Sequence, residues 1–595
     1  MKSSISTDDI VLGVKNSILA QRWTRRLAPD DPVPFEIEQA TSSNATLAKV
    51  LAGRGVTAAN AAQILAPSLR ELMPDPSTLQ AMDEAASLLA DAVEAGATVG
   101  LFGDYDVDGA ASCALLARWL KGLGSQPVIH IPDRISEGYG PNIAAIDGLI
   151  AEGIDLLVTL DCGATSHEAL GHARSKGLPV LVLDHHQMTD LGPEVDALVN
   201  PNRPDDTSGL GHLCAAGVTF MALVAANREL RARGAENLPD LLQLLDLVGL
   251  ATVADVVPLT GLNRAFVVQG LKVTRTRQNV GLAALIDVAR LTGPMQAFHF
   301  GYVLGPRINA GGRIGDAAMG ARLLLTDDPS EASHLANELD TLNAQRQAIE
   351  AEAVASAIER VEQHPSIPDI IMVRDETWHA GVVGLIAARL KERFHRPSFA
   401  FTKSAEDEWT GSARSIPGVD LGSAVRALVA QGIAIKGGGH DMAAGLTVGE
   451  ASWSQAQDAL PSTLADDLAH RLAVRDLPID TVLTASAASL DLVAALEQAA
   501  PYGTSFPEPI FAFASHRVTY ADHVGTNHVK VTLSDGNTNL SAIAFRAADT
   551  PLGDLLLEVR GQSPLHVVGS LSRNSWQGRD SAQLRLTDAA KPATG

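Results

Sequence analysis

A chain of 595 residues with 69 acidic against 46 basic side chains carries a formal charge of −23, which excludes a protein that coats nucleic acid through bulk positive charge. An enzyme whose basic groups are confined to a groove stays open, because bound divalent cations would offset part of the acidic excess. The length requires several domains, and three mutually distant cysteines, Cys113, Cys162 and Cys214, suit a reducing, cytoplasmic setting rather than a disulfide framework or a zinc site.

The N-terminus, MKSSISTDDIVLGVKNSILAQRW, has Asp8 and Asp9 and no sustained apolar core, which argues against a secretory signal. Residues 1–80 read as a segment of small helices, and residues 81–326 as a first α/β domain. In it, apolar strands are predicted at 98–103, 127–131, 154–160 and 178–183, separated by helical stretches. That alternation is the signature of a parallel sheet covered on both faces. The most apolar run, Leu213 to Ala226, is about 14 residues, short of the ~20 needed to span a membrane, and reads as a buried helix. No membrane association is expected. Residues 327–365 read as a long helix joining two lobes, with Leu335, Leu339, Leu342, Ile349, Ile358 and Val361 along its apolar side. A second α/β domain is expected over 366–460, with Gly-rich loops at GSARS and IKGGGHDMAAG. A helical linker, 461–505, then leads to a small β domain over 506–590, with strands such as HVKVTLSDG.

The stretch LFGDYDVDGA gathers Asp104, Asp106 and Asp108 directly after an apolar run. D-x-D-x-D-G also opens an EF-hand loop, but the twelfth position here is Leu115, not Glu, and a strand rather than a helix precedes it. Two later strands also end in acidic residues: IDLLVTL runs into Asp161, and LPVLVL into Asp184, His185 and His186. In an open parallel sheet the carboxyl ends of the strands lie along one edge, so these side chains can meet. Asp255, in a short loop after the apolar helix of GLATVADVVPL, is a further candidate. Taken singly, a lone Asp after a strand is more often a helix cap and a His pair surface or core filler; together the pieces make a hard, oxygen-rich set suited to Mn²⁺ or Mg²⁺. Enough ligands are present for two ions sharing a carboxylate, the arrangement that suits in-line displacement at a phosphate.

GDYDVDG, TLDCGATS, LDHHQ and ATVADVVPL resemble, in order and spacing, the successive motifs of the DHH phosphoesterase superfamily. IPDRISEGYG, PRINAGGRIGDA, WHAGVVGLIAARL, GSARSI and GGGHDMAAG are similar to its RecJ branch, single-strand-specific 5′→3′ DNA exonucleases. The resemblance is dense over about residues 50–450. It implies a DHH domain, a DHHA1 domain and a C-terminal OB-like domain, and two-metal-ion hydrolysis releasing 5′-mononucleotides from the 5′ end. It assigns Asp106, Asp108, Asp161, His185 and Asp255 as metal ligands, with Asp161 as the bridge. His186 matches the histidine that positions or neutralises the scissile phosphate, and Asp104 and Asp184 are expected to orient a ligand. Arg134, Ser412 and Arg414 match a 5′-phosphate anchor, for which the planar guanidinium fork is well suited. Arg307, Asn309 and Arg313 read as further phosphate contacts, with Gly311 and Gly312 allowing close backbone approach. Gly438, Gly439 and His440 are expected to meet the nucleic-acid backbone. Tyr520, Lys530, Arg546, Trp576 and Arg579 are candidates for the binding face of the OB-like domain. One departure stands just before that domain, where Thr504 and Ser505 replace the family's more usual Gly-Asn pair. Single-stranded DNA with a 5′ end, single-strand-binding protein and a helicase are the implied partners, in DNA repair and recombination.

Two other readings compete. Other DHH enzymes cleave oligoribonucleotides, cyclic dinucleotides, polyphosphate or pyrophosphate, but they are generally shorter and lack the N-terminal and OB-like parts. A scaffold derived from such an enzyme would have lost ligands, and all five candidates are intact here.

Overall fold

The computed structural model describes residues 9–133, 137–471 and 475–592. The chain forms two compact units, one of Leu69–Leu472 and one built from its two ends, Met1–Ser68 with Ala473–Gly595.

The first unit holds two sheets. In the first, strands β1 (Val99–Gly103), β2 (Val128–His130), β3 (Leu156–Leu160), β4 (Val180–Leu183) and β5 (Ala197–Val199) are all parallel, in the order β2-β1-β3-β4-β5. Every residue of β1, β3 and β4 is buried, as a parallel sheet covered on both faces requires. Alternate side chains serve opposite cores: Leu101, Leu181 and Leu183 pack on one side, Phe102, Val180 and Val182 on the other. The chain leaves β1 for β2 on one flank and returns to β3 on the other, so the order reverses between β1 and β3, where such sheets bind ligands. Four strands lie where the alternation of apolar runs places them. The three-residue β5 is too short for any periodicity to reveal.

The apolar run from Leu213 is a buried helix, Ala215–Ala232, and no described helix is long and apolar enough to cross a membrane. Next to it in sequence, helix Leu245–Ala254 buries Asp246, whose Oδ1 accepts the Leu247 N–H at 2.9 Å. Burial pushes this carboxyl up to about 6, from 3.8 in an unperturbed chain. The folded state therefore holds the proton more tightly, so the stabilising contribution is complete below pH 3.8 and lost as pH rises through about 6. Asp246→Asn keeps an acceptor without the charge. It is expected to raise stability at pH 7.5 by up to roughly 3 kcal/mol, a gain that closes near pH 4, as urea unfolding across pH would measure.

Helix Pro329–Glu362 is 34 residues long and starts on the Asp328 side chain, which accepts the Ser330 N–H. Its N-terminal half sends Leu335, Ala336 and Leu339 into the first core, and its C-terminal half sends Ala353, Ala357 and Val361 into the second. Between the halves the buried residues are polar: Asn343, Arg346 and Glu350. Arg346 Nη1 donates to Glu350 at 2.6 Å, and Arg389 of the following domain donates to the same carboxylate at 3.0 Å.

The second sheet has β6 (Ile371–Arg374), β7 (Ser398–Ala405), β8 (Glu408–Arg414), β9 (Lys436–His440) and β10 (Ala443–Gly449) in the order β9-β10-β8-β7-β6. Only β6 and β7 run parallel.

In the unit built from the chain ends, six strands between Thr481 and Ala590 form one sheet, closed where Phe511–Val524 pairs with Leu565–Trp576. Residues set apart as an N-terminal helical segment in the sequence reading belong to this unit up to Ser68. Strand Gln21–Arg25 pairs in parallel with Arg475–Ile479, and Ile37, Leu47 and Leu51 share a core with Phe511, Val529 and Leu584. The short helices Val33–Thr41 and Ala45–Ala52 cannot bury their apolar faces against each other alone, and the β domain supplies the remaining surface. Arg54 pairs with Asp480 at 2.6 Å, and Trp23 Nε1 donates to the buried Asp588 at 2.9 Å. Ser505 holds φ 60°, a left-handed turn position that Asn or Gly adopts more readily. Tyr520, Lys530, Arg546, Trp576 and Arg579 are all exposed.

Candidate active site

The aspartate loop is built on the end of β1. Asp106 caps helix Val107–Gly122, its Oδ1 accepting the N–H groups of Asp108 at 2.9 Å and Gly109 at 3.2 Å. Gly109 packs so closely that a Cβ there would lie 2.4 Å from the Asp104 carbonyl oxygen. The Asp108 carboxylate turns inward and accepts the N–H groups of Ala215 at 2.6 Å and Ala216 at 2.8 Å. It thereby caps helix Ala215–Ala232, whose own N-cap, Cys214, offers no side-chain bond.

Asp161 follows β3 with φ 62°, an uncommon conformation for a non-glycine residue that turns the chain sharply at the sheet edge. Its buried Oδ1 accepts no hydrogen bond from the described residues, and His185 Nε2 stands 3.3 Å away. Asp255 ends helix Leu245–Ala254, and the next residue, Val256, also adopts a left-handed φ of 61°, strained for a β-branched side chain.

After β4, Asp184 is saturated. Its Oδ1 accepts the N–H groups of His185 and His186 and the His186 Nδ1–H at 2.7 Å, and its Oδ2 accepts the Ala164 N–H. The His-His backbone is held from the other side by two asparagines after β5: Asn200 donates to the His186 carbonyl at 2.8 Å, and Asn202 to that of His185 at 2.5 Å.

These strand ends converge. Ligand-capable atoms of Asp161, His185 and His186 lie within 4.8 Å of one another, as do those of Asp108, His185 and Asp255, and those of Asp104, Asp106 and Asp161. Asp161 and His185 each belong to two of these groups. All eight residues predicted around the metal site therefore meet at one edge, astride the reversal of strand order between β1 and β3.

The electrostatics are those of a cation site. Burial, followed by repulsion from Asp108, Asp106, Asp104 and Asp255, holds the Asp161 carboxyl far above its usual range. Asp255 is raised by burial and then by Asp108 and Asp106. For Asp108, burial prevails over the attraction of His185. Such a cluster is tolerable as carboxylates only with compensating positive charge. Asp184 behaves in the opposite way: burial would raise it, but the hydrogen bond and charge of His186 bring it to about 2. His186 is the counterpart; burial would lower it, and Asp184, Asp104 and Asp255 lift it to about 9. Hard oxygen ligands with one or two imidazoles fit Mn²⁺ or Mg²⁺, and the acceptor left at Asp161 Oδ1 fits such an ion.

The residues expected to hold phosphates divide. Across the second sheet, Ser412, Gly445 and Gly438 form one row, and Arg414, Ala443 and His440 the next but one. Side chains two residues apart along a strand share a face, so Ser412, Arg414 and His440 lie on one face with the bare Gly438 among them. The first turn of helix Val383–Phe394 sits against them: a Cβ on Gly384 would lie 3.3 Å from Arg414 Nη2 and 3.5 Å from Ser412 Oγ. Two charged or polar side chains beside a helix N-terminus make an anion-attracting corner. Gly439, at φ 147°, has no room for a Cβ, which would meet the Ala443 carbonyl oxygen at 2.4 Å.

Arg307, Asn309 and Arg313 lie on helix Gly305–Ile314. Arg307 Nε donates to Asp340 of the long helix at 2.9 Å, and Arg313 Nη1 to the Gly381 carbonyl at 3.0 Å. A phosphate contact from Arg307 would have to be made alongside or in place of the Asp340 pair. Asn309 Oδ1 is buried and accepts no hydrogen bond from the described residues. The close approach expected of Gly311 and Gly312 is made to protein: a Cβ on Gly312 would lie 2.7 Å from the Tyr105 carbonyl oxygen, and one on Gly311 2.7 Å from that of Asp316. Gly312 thus seats the helix on the aspartate loop, and Gly311 seats it against the turn that follows. Arg134 lies outside the described residues.

Asn200, Asn202 and Tyr139 escape the sequence reading. Tyr139 sits in the quoted motif SEGYG, yet only the arginine of that motif carried a recognisable chemical role. Its hydroxyl lies 3.2 Å from His186 Nε2.

Comparison with known proteins covers the whole of this arrangement. Residues 98–252 match the DHH family, N-terminal domain, residues 367–468 the DHHA1 domain, and residues 479–588 the RecJ OB domain. The chain is 36% identical over 555 residues to the single-stranded-DNA-specific exonuclease RecJ of Escherichia coli strain K12, covering 90% of this chain and 94% of that protein. It is 35% identical over 558 residues to the protein of the same name from Salmonella typhimurium, covering 91% and 95%. The crystal structure of RecJ in complex with Mn²⁺ from Thermus thermophilus matches with a TM-score of 0.78 at 30% identity, over 94% of this chain and 78% of that one. The Mg²⁺ complex from the same organism matches with a TM-score of 0.72 at 28% identity, over 94% and 77%. With all three domain types present in order, and likeness sustained over nine-tenths of its length, the chain belongs to the RecJ family of DHH phosphoesterases.

Proposed function

We propose that this protein is a single-stranded-DNA-specific exonuclease that works from the 5′ end and releases 5′-mononucleotides by metal-dependent phosphodiester hydrolysis. The observation that carries this reading is the convergence of Asp161, His185 and their acidic neighbours at the strand-order reversal. Asp106, Asp108, Asp161, His185 and Asp255 would hold two divalent ions, Mn²⁺ or Mg²⁺, with Asp161 shared. Such a pair, when bound, supplies Lewis acidity at the phosphate and a more acidic water.

The side chains of the protein do the rest. His186, with Nδ1–H fixed on Asp184, presents Nε2–H to a phosphate oxygen. Asp184 holds that ring in one orientation, and Asp104 steadies the loop that carries Asp106. Arg134, Ser412 and Arg414 grip the 5′-phosphate. Arg307, Asn309, Arg313, Gly438, Gly439 and His440 bind the sugar-phosphate backbone of the strand. The exposed residues of the OB domain, Tyr520 and Trp576 among them, hold single-stranded DNA by stacking. A cytoplasmic role in DNA repair and recombination follows, with a helicase and single-strand-binding protein as partners that expose and present the strand.

The test is a time course on end-labelled single- and double-stranded DNA, with 5′-phosphate or 5′-hydroxyl ends, in Mn²⁺, Mg²⁺ or EDTA. Mononucleotides are expected from the 5′ end of the single strand alone, and none in EDTA. A large preference for a dinucleotide substrate would overturn the reading.

A further inference from the structure

Tyr139 stands between Gly138 and Gly140, both with left-handed φ, of 87° and 76°. The segment is anchored on either side. Upstream, Glu137 accepts the Asp133 N–H at 2.9 Å and pairs with His130 at 3.0 Å. Downstream, Asn142 caps helix Ile143–Ala151. On this short bridge Tyr139 as a whole is 54% exposed, while its hydroxyl reaches into the site. There it lies 3.2 Å from His186 Nε2 and donates to the Asp161 carbonyl at 3.4 Å. The other ring nitrogen of His186 is fully committed to Asp184 at 2.7 Å. The hydroxyl lies over that edge of the ring, 3.4 Å from Nδ1 and 3.2 Å from Nε2, the imidazole nitrogen left available to substrate. Its hydrogen bond to Asp161 is long, and a better acceptor would take it.

We infer that the Tyr139 hydroxyl is a second donor to the phosphate oxygen that accepts from His186 Nε2. Two donors 3.2 Å apart can both reach a single oxygen placed between them. The hydroxyl then turns from the Asp161 carbonyl to the phosphate, where negative charge grows as the bond to the leaving oxygen breaks. The flanking glycines let the ring settle without disturbing Glu137 or Asn142. The inference rests on the nuclease reading above and adds a residue that touches substrate.

Tyr139→Phe keeps the ring, and any stacking it provides, and removes the hydroxyl alone. On a 5′-phosphorylated single strand with Mn²⁺, kcat is expected to fall roughly 10- to 100-fold, with KM within about twofold of wild type. Stereopure phosphorothioates at the terminal linkage give the second readout. Wild type is expected to be slowed strongly by sulfur at one of the two non-bridging positions, and that discrimination should shrink in Tyr139→Phe, an effect no loss of packing would produce. A kcat within about twofold of wild type, or an unchanged phosphorothioate discrimination, overturns the inference. Wild-type protein that leaves the strand uncut overturns the nuclease reading itself, and the inference falls with it.

Discussion

Replacing Asp161 by Asn is expected to slow strand hydrolysis by roughly 10³-fold or more while leaving the metal-free protein at least as stable as wild type. Asp161 and His185 each belong to two of the three ligand groupings, and of the two only the carboxylate has two oxygens to offer, so under the proposed reading Asp161 is where two ions would share a ligand. Its carboxyl is raised by burial and by four neighbouring aspartates, which means that its negative charge opposes folding when no cation is present. Asn relieves that repulsion. It also tolerates the φ of 62°, whereas Ala would add strain of about 1 kcal/mol. The measurements are hydrolysis of a labelled strand, Mn²⁺ binding by calorimetry, and thermal unfolding in EDTA. Cleavage near the wild-type rate would remove Asp161 from the shared position. A melting temperature well below wild type in EDTA would show that the residue serves the fold rather than a cation.

The second large effect is expected in the long helix. Glu350→Leu should destabilise the protein by about 3–5 kcal/mol, because it leaves the buried Arg346 guanidinium with the neutral Asn343 Oδ1 and without the opposite charge that compensates its burial. The two side chains are 9% and 11% exposed and 2.6 Å apart, so water can do little to replace the lost carboxylate. The contribution of Arg389 is smaller, since that side chain is 43% exposed and its pairing is screened. The paired replacement Arg346→Met with Glu350→Leu should recover most of the loss, as an apolar pair of similar volume removes both charges at once. Urea unfolding of the two single variants and the double closes the cycle. Additive losses in the double variant would mean that the residues do not act as a pair.

The catalytic sheet was legible because chemistry and periodicity coincide there. Three of the apolar runs end in acidic residues, and parallel strands bring such ends to one edge, so the meeting of Asp106, Asp161 and His185 followed from the pattern. Contacts made through backbone groups were not legible. Nothing in the letters says that Asp108 bonds the N–H groups of Ala215 and Ala216, or that Gly312 lies against Tyr105. Asn200 and Asn202 follow a strand of three residues, and their partners are main-chain carbonyls. Tyr139 was hidden for another reason: a tyrosine between glycines looks like a turn until the chain brings it to His186. The pairing of Gln21–Arg25 with Arg475–Ile479 joins segments so distant that no local signal could connect them.

That pairing bears on how the protein is made. A ribosome delivers Trp23, Ile37 and Leu47 early, yet the β domain that covers them is translated only after the whole of Leu69–Leu472. The nuclease half can condense during synthesis, while the leading segment must wait with its apolar faces unburied until the trailing strands emerge. A nascent chain interrupted near Leu472 would therefore carry a finished catalytic half and a sticky, unprotected beginning, the part on which chaperones would be expected to settle.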